Sequence, residues 1–482
     1  MGICTSQNVS EKLDDKEEDY LKLDFNRFST YQKLENIANN IASCNKSHTY
    51  LEQQIDKIFS SLIQRMIASR QTHILKILDN IENQKKQQFM TKLERIDFEF
   101  IDSVQKLNYN FQLFHHCYKE NQTDAFYSNV IQSTNCLDQN FDLIKEQKVG
   151  IVLLCGGRSS RLPDKLLSDI GLPSKKCALQ IMMERLKKIL MLCNTYYLNV
   201  QASKNKDIAH YPIAIVLSDR NSEKIQMYLK YQGDFEFQSI YYIIEKQLPV
   251  IDQKGQVVFE QENQAIMTPE GTGSIFLQLN SFINKFPNME YLHFLGLDNL
   301  VGLPLDPQML NLICKQKADA LCKVIETNSI LDDRIFYSNK QFKTMEEWDS
   351  TITENSYNMT QMLLNDLYLS VSFLNKMKSN HEKALKLNQR YHCIKRGSNI
   401  QFEKHIQDII EVTDITILHQ TEDYALLIDD PRRAVIQLSN VHKRYLKLDG
   451  TQEEDLVEIT PQMSYCGEDL KKIENATYPL II

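Results

Sequence analysis

The chain has 482 residues, 42% of them hydrophobic, with a net charge of −8 and a pI near 5.8. That length supports one large core with satellite regions, and the acidic balance argues against general nucleic-acid binding, which rests on Lys and Arg facing phosphates. The 11 cysteines form no C-x-x-C pair, which excludes a zinc ribbon or thioredoxin motif and suits reduced thiols, and no apolar run of about 18 residues marks a transmembrane helix.

Residues 1–26 read as a tail. Gly2 after the initiator Met, with Ser6 at its offset, fits N-myristoylation, and Cys4 beside it fits palmitoylation. One myristoyl chain holds a membrane surface only marginally. The acidic run that follows, Asp14, Asp15, Glu17, Glu18 and Asp19, supplies no basic patch. Stable attachment would therefore depend on Cys4; the alternative is an unmodified flexible tail. Residues 27–146 read as helical. Between Ile55 and Ile81, Ile58, Phe59, Leu62, Ile63, Met66, Ile67, Ile74, Ile77 and Leu78 recur at i, i+3, i+4 spacing without Gly or Pro. This predicts an amphipathic helix, packed on the next domain or dimerising as a coiled coil.

Residues 147–380 change texture. The unbroken apolar run Val149–Leu154 reads as a buried strand, followed by strands at Ile213–Leu217, Ile240–Ile244 and Tyr291–Leu297. Helical patterns lie between them at Ala178–Leu192 and Asn221–Tyr231. The alternation predicts an α/β, Rossmann-like fold: a mostly parallel sheet with helices on both faces and ligands beyond the carboxyl ends of its strands. Residues 381–482 read as a smaller C-terminal lobe, with a helix near Phe402–Glu411 and β-like runs at Ile415–His419 and Ala434–Leu438.

The first strand runs into Gly156-Gly157-Arg158-Ser159-Ser160-Arg161, with Lys165 close behind. Adjacent glycines let backbone N–H groups approach a phosphate, and Arg161 offers a fork matched to phosphate oxygens. The spacing is neither G-x-G-x-x-G nor the Walker pattern. Alone, the pair of glycines is equally a structural turn.

The loop resembles the signature of sugar nucleotidyltransferases, L-x-x-G-G-x-G-T-R-L-G…P-K. Downstream, Gly171-Leu172-Pro173-Ser174-Lys175-Lys176, Gln180…Glu184-Arg185, Leu248-Pro249 with Asp252…Gly255, Met267-Thr268-Pro269-Glu270-Gly271-Thr272-Gly273, Leu297-Asp298-Asn299 and Glu458-Ile459-Thr460-Pro461…Ser464-Tyr465…Gly467-Glu468 follow one order. That order is similar to the eukaryotic UDP-N-acetylglucosamine pyrophosphorylases. The resemblance implies the fold of that family and the joining of UTP to N-acetylglucosamine 1-phosphate, or a related sugar 1-phosphate, with Mg²⁺ and release of pyrophosphate. It implies that Gly156, Gly157 and Ser160 cradle the triphosphate and that Arg161 and Lys165 stabilise its charge. Gly271 would lie close to the uracil, and Asp298 would hold the metal.

Departures from the family pattern sit in loops. Ser159 and Ser160 replace Gly-Thr, Pro163 replaces a glycine, and the segment to Lys165 is shorter. Glu245-Lys246 stands where the family has Gln-Gly, Thr272 replaces Asn, and Leu363-Leu364-Asn365-Asp366 stands in the sugar-binding stretch. Ile428 takes the place of a lysine that reaches the triphosphate, with Arg432 and Arg433 nearby. Three readings remain at this point: an active uridylyltransferase, a catalytically impaired relative acting as a membrane-tethered scaffold, and a nucleotidyltransferase for another base, suggested by Glu245.

Overall fold

The structure, a computed structural model, describes residues 59–108, 126–128, 141–156, 166–198, 208–260, 263–327, 335–338, 341–344, 360–380, 391–413, 415–420, 431–448, 452, 454–470 and 479–482. The chain divides into two compact units, Met1–Glu94 and Arg95–Ile482.

In the first unit the expected single helix is broken. A helix covers residues 59–68 and another Thr72–Asn80, followed by Asn83–Leu93. At the break Arg70 takes φ 60° and the Gln71 N–H donates to Met66 O. The Ser69 hydroxyl turns back to Arg65 O, competing with the helix ladder. The apolar spacing continues across the break because Leu62, Met66 and Ile74 are all fully buried.

The second unit begins with helix Phe98–Asn108; its strands are β1 (Phe126–Ser128), inside the stretch read as helical, then β2 (Val149–Leu154), β3 (Ile213–Leu217) and β4 (Ile240–Ile244). Short strands β5 (Gln247–Pro249), β6 (Ile251–Asp252) and β7 (Met267–Pro269) follow, then β8 (Tyr291–Gly296) and β9 (Ala320–Thr327). Next come β10 (Ile335–Ser338), β11 (Gln341–Thr344), β12 (Thr360–Ser370), β13 (His392–Arg396), β14 (Asn399–Glu403) and β15 (Ile415–Gln420). The main sheet runs β1-β15-β9-β12-β8-β2-β3-β4, with the β10–β11 hairpin on β12. Its pairs are parallel except where β12 lies reversed between β8 and β9 and where the hairpin joins it.

β2 is apolar throughout because both of its faces are covered. Val149, Ile151 and Leu153 enter one core, with helices Ala178–Leu198, Ser222–Tyr231, Pro307–Gln316 and Pro431–Tyr445. Val152 and Leu154 enter the other, with helices Leu279–Lys285 and Val371–Ser379.

The C-terminal region departs from expectation in three places. Residues 402–411 are the end of β14 and a 3-10 turn, Ile406–Glu411, not one helix. β15 pairs with β9 and so joins the main sheet. Ala434–Leu438 lies in a helix, because Ala434, Val435, Leu438, Val441 and His442 form one buried helical stripe, which overrides the β preference of its branched residues.

A buried charge network sits beside β12. Lys323 Nζ is 2.6 Å from Asp306 Oδ2 and 3.0 Å from Asp366 Oδ2. His293 Nδ1 accepts the Leu305 N–H at 2.9 Å, so its ring proton is on Nε2, which donates to Asp366 at 2.9 Å. Asp306 also caps helix Pro307–Gln316 through the Gln308 N–H. Burial alone would raise the Asp366 pKa, but Lys323 and the His293 bond outweigh it and leave the carboxyl below its ordinary value. Burial likewise opposes charge on Lys323, and Asp306 and Asp366 outweigh that, raising its pKa.

Removing the cation alone strands two buried carboxylates, so Lys323→Met should cost about 3–5 kcal/mol in denaturant unfolding. In the intact network, the depressed Asp366 gives stability above about pH 4 that is lost in acid. The raised Lys323 gives stability below about pH 10 that is lost only in strong alkali. His442 behaves differently. Its Nδ1 accepts the Ile459 N–H, and burial, then nearby Arg185, pushes its pKa down to about 3. Below about pH 6.5 the unfolded chain gains a proton that the folded chain refuses, so stability falls by about 1.4 kcal/mol per pH unit from this group. Thermal melts of wild type and His442→Gln between pH 7 and 4.5 should diverge accordingly, the variant being flatter.

Candidate active site

The carboxyl ends of the central strands are tied into one rim. The Cys155 N–H donates to Val216 O and the Glu245 N–H to Leu217 O, extending the β2–β3–β4 ladder past the strands. Asn221, buried at the start of its helix, donates from Nδ2 to Cys155 O at 2.7 Å and accepts from the Ser218 N–H at 2.9 Å. The buried Glu245 carboxylate fills the space where Gly156 has no side chain; a Cβ there would lie 2.5 Å from its carboxyl carbon. Gly156 therefore has a steric reason to be glycine besides any approach to phosphate.

Leu154 is the register partner of Gly296, so Gly156 and Asp298, each two residues further on, stand at the same edge of adjacent parallel strands. Asp298 is buried, and its Oδ1 covers Gly296, 2.5 Å from where a Cβ would sit. Asn365 approaches Gly296 from the other side, its Cβ at 2.7 Å from the same point. Asn365 lies where β12 slips register between Leu363 and Leu367, and its Oδ1 accepts from Gln407 Nε2.

Gly271 stands at the third corner, with φ 96°. The Glu270 N–H donates to Lys246 O, next to Glu245, and the Lys404 N–H donates to Glu270 O. The Gly273 N–H returns to Lys404 O, and Thr272 Oγ1 accepts the Ile406 N–H at 3.1 Å. This segment lies so close that a Cβ on Gly271 would meet Lys404 O at 2.4 Å. Lys404 Nζ pairs with Glu270 Oε1 at 2.8 Å, the Tyr391 hydroxyl donates to the same oxygen at 3.0 Å, and Lys404 lies 4.3 Å from the Tyr391 ring centre. Burial would raise the Glu270 pKa, but Lys404 outweighs it and holds the carboxylate charged.

Of the residues expected to act, Gly156, Gly271 and Asp298 converge on this rim. Gly157, Ser160, Arg161 and Lys165 lie outside the described residues, as do Gly2, Cys4, Ser159, Pro163 and Ile428. Arg432 and Arg433 are exposed on the first turn of their helix. Sequence reading missed Lys404, Tyr391 and Gln407, because their partners are remote in the chain; Tyr391 and Glu270 are 121 residues apart. Among the described residues no cluster of three or more His, Cys, Asp and Glu could hold a metal ion. Mg²⁺ needs none: it is commonly held by one or two carboxylates together with substrate phosphates and water, a role Asp298 fits as a hard oxygen donor.

Residues 107–417 match the family model described as UTP--glucose-1-phosphate uridylyltransferase. The chain is 21% identical over 475 residues to the probable UDP-N-acetylglucosamine pyrophosphorylase of Dictyostelium discoideum, covering 86% of this chain and 96% of that one. It is 21% identical over 462 residues to UDP-N-acetylglucosamine diphosphorylase 2 of Arabidopsis thaliana, covering 86% and 91%. In fold it is similar to the crystal structure of the uridine diphosphate N-acetylglucosamine pyrophosphorylase from Trypanosoma brucei, with TM-score 0.65, 15% identity and coverage of 85% of this chain and 94% of that one.

The two glycines should respond differently to substitution. Gly271→Ala meets fixed backbone at a positive φ and should cost about 1–3 kcal/mol. Gly156→Ala meets the end of the Glu245 side chain, which can shift, and should cost less. Denaturant unfolding of the two variants measures the order.

Proposed function

Since the chain belongs to the UTP--glucose-1-phosphate uridylyltransferase family, we propose that it transfers the uridylyl group of UTP to N-acetylglucosamine 1-phosphate or a closely related sugar 1-phosphate, releasing pyrophosphate. The observation that carries this reading is the convergence of Gly156, Gly271 and Asp298 on one rim at the carboxyl ends of β2, β4 and β8. A phosphate oxygen of the sugar phosphate attacks the α-phosphorus of UTP; the bond to the bridging oxygen breaks and carries its electrons to the departing pyrophosphate. The protein's part is to hold both substrates in line and to neutralise charge.

In this reading the Gly156 turn receives the triphosphate, and the Gly271 turn, pinned by Lys404 and Glu270, holds the base. Arg161 and Lys165 meet charge developing on the phosphates. Asp298 would hold Mg²⁺, which supplies positive charge to phosphate oxygens when bound. The preference for an N-acetylhexosamine 1-phosphate is supported by the names of the relatives, and the Asn365 amide, steadied by Gln407 beside Asp298, is a group that could read the sugar. No helix among the described residues is long and apolar enough to cross a membrane. Acylation at Gly2 and Cys4 would bring the enzyme to a membrane surface.

The test is pyrophosphate release by purified protein with Mg²⁺, UTP and N-acetylglucosamine 1-phosphate. Arg161→Ala and Asp298→Ala should each lower kcat by about 10²–10³-fold, the usual effect of losing a charge-stabilising group. Folded protein that releases no pyrophosphate with any common sugar 1-phosphate would overturn the reading.

A further inference from the structure

The turn after Asp298 is buried from Leu297 to Gly302. A buried turn has backbone carbonyls that water cannot reach, so they need partners from the protein. The Asn299 side chain accepts the Val301 N–H, and the Gly302 N–H donates to Asn299 O, closing the turn from within. Its outward carbonyls are taken by side chains from two distant elements. Arg185, 6% exposed on helix Ala178–Leu198, donates from Nη1 to both Leu300 O and Gly302 O. The Tyr465 hydroxyl donates to Pro304 O at 2.9 Å.

Arg185 uses one nitrogen for both carbonyls, with the Glu458 charge also acting on its guanidinium. A helix core gains little from an arginine there, because the desolvated guanidinium is costly unless its bonds matter elsewhere. Behind it lies a void of about 10 Å³ between Val301, Leu438, His442 and Tyr465, room for a single water. Shortening Arg185 would enlarge that void and leave the turn unfastened on this side.

We propose that Arg185 is a positioning residue for Asp298: its guanidinium, gripping Leu300 O and Gly302 O, fixes the turn that aims the Asp298 carboxylate. The inference rests on Asp298 being the metal-binding group in the proposed function. Arg185 does not touch substrate. It acts through the backbone, and its effect appears in how well metal and nucleotide bind together.

The readout is UTP affinity by calorimetry, with saturating Mn²⁺ and again in EDTA, in wild type, Arg185→Lys, Arg185→Met, Asp298→Ala and Leu438→Ala. Wild type should gain affinity with the metal and Asp298→Ala should not. Arg185→Met should lose about 10-fold or more of that gain, as supporting partners of metal ligands typically do. Arg185→Lys, which keeps charge but not the fork, should fall between. Leu438→Ala enlarges the same void but removes no hydrogen bond from the turn's carbonyls; it should lower the melting temperature yet keep the gain. If the Arg185 variants keep the wild-type gain, or if Leu438→Ala loses it equally, the positioning role is overturned. If Arg185→Met does not fold, Arg185→Lys decides by the same criterion. If wild type itself shows no gain, the metal reading of Asp298 fails and this inference falls with it, a pattern distinct from failure of Arg185 alone.

Discussion

Lys323 and the two carboxylates around it set the geometry on which the site depends. The network joins β9, β12 and the start of helix Pro307–Gln316, and reaches β8 through His293. A reversed strand between parallel neighbours could settle in several registers on apolar contacts alone. A buried ion pair tolerates only one, because any slip would strand a charge. With Asp366 fixed opposite Leu295, the register slip between Leu363 and Leu367 falls where Asn365 meets Gly296 and Asp298. The polar cluster under the sheet thus determines what stands at its edge.

Much of the fold is legible in the chain. Val149–Leu154, Ile213–Leu217 and Ile240–Ile244 are strands with the expected bounds, because continuous apolar runs are needed where both faces of a sheet are covered. β12 is hidden by its own chemistry. Asn365-Asp366 in mid-strand looks like a turn, and only Lys323 and His293, which are remote in sequence, make a buried aspartate acceptable there. Helix Pro431–Tyr445 was obscured because its apolar residues include β-branched Val435, Ile436 and Val441, whose local preference yields to packing. In the site, Gly156, Gly271 and Asp298 could be found because each belongs to a short contiguous motif. Lys404 and Gln407 meet partners remote in the chain, as Arg185 does from within its motif, and no spacing rule in one sequence reveals such pairs.

Close approach of backbone to backbone is the second theme of the site. At Gly271 and Gly273 the chain at 403–405 lies where side chains would otherwise be, and Thr272 contributes its hydroxyl to the same contact. That seam links the Gly271 turn to Gln407, and through Asn365 to the Asp298 side. The departures Thr272 and Asn365 from the family pattern both take part in these bonds, so their local chemistry is satisfied within the fold. In the proposed function both substrate halves would rest on one continuous support, which suits a reaction whose demand is alignment.

The placement of β12 also constrains how the molecule can be made. The strands β8 and β9 precede it in the chain, yet they flank it in the sheet. Until residues 360–370 leave the ribosome, each of those strands keeps an unpaired hydrogen-bonding edge, and the Lys323 charge lacks Asp366. A nascent chain at that stage is an open template for wrong pairing. Both neighbours of β9, β12 and then β15, follow it in the chain, so the sheet is completed only as they emerge, and synthesis of this region is the interval in which the protein most needs protection.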